Sequence, residues 1–281
     1  KITAWEQQLG ESILPVSAKT RQGIEELKKR LIKHAPDEWE GVPLIGDLLT
    51  PGSLVVLVVR IDSAAPKGRL ILPQVQTIRD ILDHNATCIV VKENELKATF
   101  DNLRNQPDLV VTDSQEFQKV SADTPKNVQL TSFSILMARH RGDLVTLAAG
   151  AKAIEALRPG DKVLIAEGCT HHRQADDIGK AKIPRWLRQA VGGELDFEWV
   201  SGGSFPADIK KYQLIVHCGA CMLNRREMLY RLAVAREQGV PIVNYGVLIA
   251  KIHGILQRAL EPFPLALREL EREGGTSDLL G

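Results

Sequence analysis

Three cysteines and two histidines are spaced along the chain in a way that suits metal binding. Cys218 and Cys221 form a Cys-x-x-Cys pair with His217 directly before it, and Cys169 precedes His171 by two positions. Thiolates and imidazoles are ligands that zinc and iron-sulfur clusters take from proteins. Together these five residues predict a metal centre, while the pair alone would also fit thiol redox chemistry or a structural role.

The Cys-x-x-Cys pair lies where a predicted strand ends and a helix begins. Gly219 and Ala220 are small enough for the backbone to curl between the two thiols. The helix that begins near Met222 presents backbone N–H groups and the positive end of its dipole, which favour thiolate over thiol. Both sulfurs are therefore expected to face one metal ion or cluster.

The residue types leave the metal and its fourth ligand open. Three cysteines and one histidine would close a tetrahedral zinc site, whereas three cysteines alone suit a 4Fe-4S cluster with one exchangeable position. His171 and His217 are candidates for direct coordination or for hydrogen bonds to the ligands. Asp176 and Asp177 are rival ligands or else caps of the following short helix, and water or an exogenous ligand would also serve.

The predicted strands place these residues at one edge of a sheet. The strand KVLIAE ends at Gly168 and Cys169, YQLIVHC ends at Cys218, and the strand in VPIVNYG ends at Asn244. Ligands of open α/β sheets bind outside the carboxyl ends of the strands. The cysteines and Asn244 are therefore expected to converge.

Alternating strands and helices predict an α/β fold with two domains of mainly parallel sheets flanked by helices. The pattern assigns residues 53–126 to a small first domain and residues 127–281 to a second domain that holds the cysteines. Residues 37–52 are interpreted as a linker. Residues 1–36, with a strand in ESILPV and a helix from about Arg21 to His34, are interpreted as a remnant of a larger domain.

Two helices have faces that can be predicted from their apolar positions. In LPQVQTIRDILDHN the residues expected to face inward are Val75, Ile78, Ile81 and Leu82. In NRREMLYRLAVAREQ, Met228, Leu229 and Leu232 are expected inward and the arginines outward on a solvated face. A less favoured hypothesis is that an anionic ligand or an acidic partner is attracted by Lys180, Lys182, Arg225 and Arg226.

The composition narrows the class of protein. The 281 residues are 44% hydrophobic and 25% charged, and a formal net charge of +1 gives no general reason to expect nucleic acid or an anionic membrane as partner. The longest aliphatic run, Leu54 to Val59, is too short to span a bilayer, and no signal-like sequence opens the chain. Four cysteines favour metal or redox chemistry over a secreted disulfide framework, so a cytoplasmic protein is expected.

The order of several motifs resembles a known family. CTHH, HCGACMLNR and VPIVNYGVLIA, together with IDSAAPKGRLILPQVQTIRD and SFSILMARHRGDL, look like the maturation GTPase of iron-only hydrogenases, the HydF family. The resemblance covers nearly the whole chain. It implies a GTPase domain, then a small dimerisation domain, here residues 53–126, and an iron-sulfur domain, here residues 127–281.

That resemblance implies a scaffold and carrier. Members of the family receive a di-iron precursor with carbon monoxide and cyanide ligands and pass it to the hydrogenase apoprotein, with radical-SAM maturases as further partners and a homodimer as the expected assembly. The matching cluster thiolates are Cys169, Cys218 and Cys221, and the matching histidines are His171 and His217. The implied resident cofactor is a 4Fe-4S cluster, and the precursor is transient cargo.

The nucleotide domain is where the chain departs from the family. ILPVSAKTRQGIEEL resembles the final guanine-contacting motif of such GTPases, but no Gly-x-x-x-x-Gly-Lys-Ser/Thr loop that would hold the phosphates occurs in the sequence. The chain is therefore expected to lack most of the GTPase domain, with Ser17, Ala18 and Lys19 left as structural remnants. GTP is expected only in the full-length protein, and no GTP hydrolysis is expected here.

Two other functions fit part of the pattern. A structural zinc module would combine the three cysteines with His171 or His217. A thiol oxidoreductase would use the strand, Cys-x-x-Cys and helix arrangement known from thioredoxin, but it leaves Cys169 without a role. The cluster carrier is therefore the favoured hypothesis.

Overall fold

The computed structural model describes residues 5–7, 10, 12–33, 42–61, 68–168 and 177–272. The chain divides into two compact units, residues 1–41 and 42–281. In the first unit helix α1 (Ile24–Lys33) confirms the predicted helix. The predicted strand in ESILPV is wrong for the residues described there, because residues 12–17 form no regular secondary structure. A strand exists only with a hydrogen-bonded partner, and none is provided in the described part of this unit.

The second unit begins with a four-stranded parallel sheet, which we call sheet one. Its spatial order is β2-β1-β3-β4. The strands are β1 (Leu54–Val59), β2 (Thr87–Lys92), β3 (Leu109–Thr112) and β4 (Gln129–Ser132). The helices that follow them are α2 (Leu72–Asp83), α3 (Leu96–Asn102), α4 (Phe117–Asp123) and α5 (Phe133–Arg141).

Sheet two is also four-stranded and parallel, in the order β6-β5-β7-β8. Its strands are β5 (Lys162–Glu167), β6 (Asp196–Ser201), β7 (Leu214–His217) and β8 (Ile242–Asn244). Around it lie α6 (Leu144–Gly150), α7 (Ala153–Ala156), α8 (Ile183–Val191), α9 (Arg225–Glu237), α10 (Tyr245–Ile252), α11 (Leu256–Leu260) and α12 (Pro264–Glu271). In the described ranges no helix has the length and apolar character needed to cross a membrane.

These two sheets confirm the predicted α/β class, and they also show where the predicted boundaries differ from the observed elements. Strand β4 pairs in parallel with β3, so sheet one extends past residue 126 to Ser132. The start of the second unit packs on α2, because the N–H groups of Ile45 and Gly46 both donate to Asp80 Oδ2, at 2.7 and 2.8 Å. Residues 42–52 of the predicted linker are thus part of the folded unit.

The two sheets share one topology and one register. Val58 on β1 is paired with Thr112 at the end of β3, and Ala166 on β5 is paired with His217 at the end of β7. The inner strands of both sheets are buried and almost wholly apolar, as expected for parallel sheets covered by helices. Thr112 and His217 therefore occupy equivalent positions at the carboxyl edges.

Helix α2 does not present the face predicted from its apolar residues. Val75 and Leu82 are 47% and 56% exposed, whereas Gln74, Thr77 and Ile81 are buried. The prediction for Val75 and Leu82 was wrong because Gln74, Thr77 and Ile81 occupy the inner face instead. The Thr77 hydroxyl donates to its own helix backbone, and the Gln74 amide bonds a side chain of sheet one.

Candidate metal centre

Cys218 follows β7 directly, and two backbone amides point at its sulfur. The N–H of Gly168, the residue after β5, donates to Cys218 Sγ at 3.0 Å, and the N–H of Ala220 donates at 3.4 Å. Amide donors to a sulfur stabilise its thiolate and are a regular feature of cluster-binding thiolates. The ends of β5 and β7 therefore meet at the sulfur of Cys218.

The turn between the two thiols has an unusual backbone. Ala220 has φ +55°, in the left-handed region that non-glycine residues seldom adopt, and its side chain is buried. Such strained residues persist where the surrounding structure requires them, often at functional loops. The curl predicted between Cys218 and Cys221 is present, and Ala220 makes it. Cys221 packs, partly buried, against the core.

The third predicted thiol lies outside the described residues. Cys169, His171 and Asp176 all fall within residues 169–176, so their predicted roles stay predictions. In the part of the chain that the structure does describe, no three His, Cys, Asp or Glu side chains are grouped so as to hold a metal ion. The geometry on this side of the site is set by Gly168, which joins β5 to Cys169.

His217, the last residue of β7, is fully buried with both ring nitrogens engaged. Nδ1 lies 2.8 Å from the carbonyl oxygen of Cys218, and Nε2 lies 3.0 Å from Nη1 of Arg231. The pKa of His217 is lowered to about 4, chiefly by burial; the carbonyl of Cys218 opposes this shift and the guanidinium of Arg231 adds to it. Both ring nitrogens of His217 therefore have hydrogen-bond partners within the protein.

Arg231 was missed by the sequence analysis and contradicts one of its predictions. The arginines of α9 were expected to face solvent, yet Arg231 has no exposed surface. Met228 and Leu232 are buried as predicted, but Leu229, also predicted inward, is 38% exposed. Its Nε donates to Glu227 Oε1 at 2.9 Å, and its Nη2 donates to the carbonyl of Gly202 at 2.7 Å. A buried guanidinium is tolerated because it is paired in this way.

Asp177 takes the capping role that was predicted as an alternative to coordination. Its Oδ1 accepts the N–H groups of Gly179 and Lys180, at 2.9 and 3.1 Å, and so starts a π-helical turn, Ile178–Lys182. Lys182 donates from Nζ to Gln115 Oε1 at 2.7 Å. This bond links the segment after residues 169–176 to the 3-10 turn that follows β3.

Arg225 has a structural role that the sequence did not indicate. Its Nη1 donates to the carbonyl oxygens of Arg139, His140 and Gly142, at 3.2, 3.1 and 2.6 Å. These carbonyls lie at the C-terminal end of α5, where backbone acceptors have no helical partner. Arg225 therefore caps α5, while Lys180 and Arg226 remain exposed.

A buried polar pair lies beside the thiol loop and was also missed. Tyr245 Oη donates to Glu167 Oε1 at 3.4 Å, with both side chains buried. Burial raises the pKa of Tyr245 well above its ordinary value, and the negative groups Cys218, Glu167 and Asp177 raise it further. A Cβ on Gly179 would lie 2.3 Å from Tyr245 Oη, so only glycine fits there.

Asn244 reaches the edge where the sequence placed it. It pairs in register with His217, so the ends of β7 and β8 lie side by side. Its Oδ1 accepts the N–H of Val247 at 2.8 Å and caps α10, while its Nδ2 donates to the carbonyl of Ser134 at 2.8 Å. Asn244 thus connects the carboxyl ends of the two sheets.

Sheet one has a carboxylate where sheet two has the thiol. Asp113 follows β3 as Cys218 follows β7, and its Oδ2 accepts the N–H of Arg60, the residue after β1, at 2.9 Å. The Gln74 amide donates to the same oxygen at 3.1 Å. Burial raises the pKa of Asp113 to about 6, against the lowering effect of these two hydrogen bonds.

The fold is thus that of a parallel α/β protein with a thiol loop at the carboxyl edge of its second sheet. Two family profiles match it: the hydrogen maturase F dimerization domain over residues 44–142 and the hydrogen maturase F tetramerization domain over residues 145–262. The chain therefore belongs to the hydrogen maturase F family, and the resemblance seen in its motifs is confirmed.

Other comparisons add little. Curated proteins give no match. A solute-binding protein of an ABC transporter from Burkholderia multivorans is 13% identical, with 79% of this chain and 94% of that one covered and a TM-score of 0.24. A methylenetetrahydrofolate dehydrogenase from the silkworm Bombyx mori is 11% identical, with 92% and 99% covered and a TM-score of 0.24. Likeness at this level carries no argument about fold or function.

Proposed function

We propose that this chain is a scaffold that carries a 4Fe-4S cluster on Cys169, Cys218 and Cys221 and transfers a di-iron precursor during hydrogenase maturation. Its family membership gives the role in hydrogenase maturation. One observation carries the cluster proposal: the amide of Gly168 donates to Cys218 Sγ. Cys169 is the next residue in the chain after Gly168.

The chemistry of the described donors fits such a cluster. Cys218 Sγ accepts two amide hydrogen bonds, and the backbone between Cys218 and Cys221 turns at Ala220, which has a positive φ. When bound, a cluster held by three cysteines supplies an iron with one exchangeable position. His217 is engaged at both nitrogens, which supports leaving that position to an outside ligand such as the precursor.

The test is anaerobic reconstitution with iron and sulfide. The intact protein should bind about four irons and four sulfides per chain, as this cluster type requires. Cys169→Ser should abolish the charge-transfer absorption. The matched control is Cys88→Ser, because Cys88 lies on β2 of sheet one, partly buried and away from the predicted ligands. A full cluster in Cys169→Ser would contradict the proposal.

Metal analysis of anaerobically expressed protein separates the carrier from the zinc module. A zinc site of three cysteines and one histidine would have to use His171, because His217 would first have to give up Arg231. One zinc per chain in colourless protein would favour that alternative. An insulin-reduction assay with no turnover would remove the thiol oxidoreductase.

The carrier is further proposed to be a homodimer joined through sheet one, with the hydrogenase apoprotein and radical-SAM maturases as partners in turn. The matched dimerization domain supports the first part. Strand β2 is at the edge of sheet one, and Val90 on it is 40% exposed. Val75 and Leu82 on the neighbouring helix α2 are exposed as well. An apolar edge strand is a template for pairing with a second copy.

A further inference from the structure

Arg231 is an unusual residue for the inner face of a helix. The segment looks like a solvated surface helix, yet this guanidinium is fully buried and contacts three different parts of the fold. Its donors reach Glu227 on its own helix, His217 at the end of β7 and the carbonyl of Gly202 after β6. Burying a charge is costly unless each donor is satisfied. The fold retains this charge beside the thiol loop.

The contact with Arg231 determines which nitrogen of His217 carries the proton. Arginine can only donate hydrogen bonds, so Nε2 of His217 must accept from Nη1. The proton of the neutral ring is then on Nδ1, which donates to the carbonyl oxygen of Cys218 at 2.8 Å. Neither nitrogen keeps a lone pair for a metal.

The same arginine reaches both ends of the thiol loop, residues 218–224. At the start of this loop His217 bonds the backbone of Cys218. At its end Asn224 Oδ1 accepts the N–H of Glu227 at 2.8 Å and begins α9. The Glu227 carboxylate in turn accepts from Arg231 Nε. A continuous series of hydrogen bonds therefore runs from one end of the loop to the other.

We propose that Arg231 is a positioning residue of the metal centre. It occupies Nε2 of His217, keeps that imidazole out of the coordination sphere, and fixes the backbone of Cys218 through Nδ1. The histidine before the Cys-x-x-Cys pair is thus a support for the first thiol rather than a ligand. This inference rests on the proposed cluster and adds the residues that hold its loop.

The first experiment measures how quickly the reconstituted protein loses iron to a chelator. Arg231→Met keeps the length of the side chain but removes every donor. Loss of an outer partner of a metal ligand typically weakens metal binding roughly 10- to 100-fold, so we expect iron loss to accelerate by that order. The matched control is Arg236→Met, an exposed arginine on the same helix, which should leave the rate unchanged. An unchanged rate in Arg231→Met would overturn the proposal.

Two variants of His217 separate its two hydrogen bonds and do not depend on Arg231→Met folding. The amide nitrogen of Asn can take the place of Nδ1 and donate to Cys218, but Asn is too short to meet Arg231. Gln reaches Arg231 and loses the bond to Cys218. We therefore expect iron to be lost more slowly from His217→Asn than from His217→Gln. The reverse order would overturn the proposed role of the Cys218 bond.

A spectroscopic measurement tests coordination directly. Pulsed EPR of the reduced cluster detects a nitrogen bound to iron, so the wild-type protein and His217→Gln should show the same nitrogen couplings. A coupling that is present in the wild type and lost in His217→Gln would show that His217 is a ligand and would overturn the inference. Wild-type protein that binds no iron would instead contradict the proposed function itself.

Discussion

Sheet one and sheet two have the same strand order, the same register and the same hydrogen bond at their carboxyl edges, but they present different side chains there. The amide after the first strand of each sheet donates to the residue after the third: Arg60 to Asp113 in sheet one, Gly168 to Cys218 in sheet two. This edge is where the direction of chain connection reverses, the usual ligand position in such sheets. The shared topology creates an equivalent ligand position in both sheets, and the residue type after the third strand determines which chemistry that position can support.

The largest expected difference between the two edges is in iron binding. Cys218→Ala should lower bound iron from about four per chain to near zero, because no other thiol in the described residues can replace it. The matched change Asp113→Asn should leave the iron content unchanged. Iron and sulfide analysis after anaerobic reconstitution measures both. Retained iron in Cys218→Ala, or equal losses in the two variants, would contradict the predicted difference in iron binding between the two edges.

The outer strands of the two sheets should also differ in assembly. On β6 the side chains of Asp196 and Glu198 are paired with Lys162 and Lys211, whereas β2 exposes Val90. Charged residues protect an edge from pairing, and apolar ones invite it. Val90→Lys should therefore raise the dimer dissociation constant by roughly tenfold or more, equivalent to about 1.4 kcal/mol. Light scattering over a dilution series gives the constant.

The matched variant on the other edge is Trp199→Lys, since Trp199 is the exposed apolar residue of β6. It should leave the dimer constant unchanged. A shift with Trp199→Lys and none with Val90→Lys would transfer the proposed dimer contact to sheet two.

Asp113 should make sheet one sensitive to pH. Its pKa is raised by burial to about 6 from 3.8, so between these values the folded state holds a proton that the unfolded chain releases. Stability from this group is therefore present at low pH and is lost as the pH rises through about 6, with a loss of up to about 3 kcal/mol.

Asp113→Asn removes that ionisation. The difference in unfolding free energy between wild type and Asp113→Asn, measured by denaturant titration from pH 4 to pH 8, should change in favour of the variant as the pH rises. A difference that stays constant with pH would show that Asp113 titrates normally.

The smallest expected effect concerns the helix caps that follow the last strand of each sheet. Ser132 Oγ accepts the N–H of Ile135 at 3.2 Å, and Asn244 Oδ1 accepts that of Val247 at 2.8 Å. Removing an N-cap costs about 1 kcal/mol. Asn244→Ala should cost about 1 kcal/mol more than Ser132→Ala: Ser132 Oγ has one further partner, the Ser114 hydroxyl, whereas the Asn244 amide donates to both the carbonyl and the hydroxyl of Ser134. Urea unfolding of both variants measures the loss of unfolding free energy. Equal losses would show that the bond from Asn244 to Ser134 adds no stability beyond the helix cap.

The sequence predicted the strands of sheet two well and the helix faces poorly. KVLIAE was predicted as a strand and is β5, residue for residue, because a short apolar run between polar and glycine residues has few other ways to be buried. Val75 and Leu82 were predicted to face inward on α2 because they are apolar, but no part of the chain that the structure describes covers them. The spacing of apolar residues within one strand or helix gives no information about its packing partners elsewhere in the fold.

The candidate site was predicted in part for the same reason. The ends of β5, β7 and β8 were expected at one edge, and the register of sheet two confirms this for Gly168, Cys218 and Asn244. Arg231 was predicted to face solvent because arginine side chains are usually exposed. Its burial depends on His217, which stands 14 residues earlier in the chain and meets it only once β7 and α9 have packed. The equivalent positions of Asp113 and Cys218 could be recognised only from the strand register in the folded protein, because an aspartate and a cysteine share no sequence pattern.

Gly246 and Ser134 approach each other closely where the helices that follow the last strands of the two sheets meet, and there is no room for a side chain at residue 246. A Cβ on Gly246 would lie 2.7 Å from Ser134 Cβ, so the first turns of α5 and α10 touch backbone to side chain. The Gly246 N–H also donates to Ser134 Oγ at 3.1 Å. In the proposed homodimer through β2, the two proposed clusters would therefore be held at a fixed separation and angle. A client protein would bind to cluster sites whose relative orientation does not change.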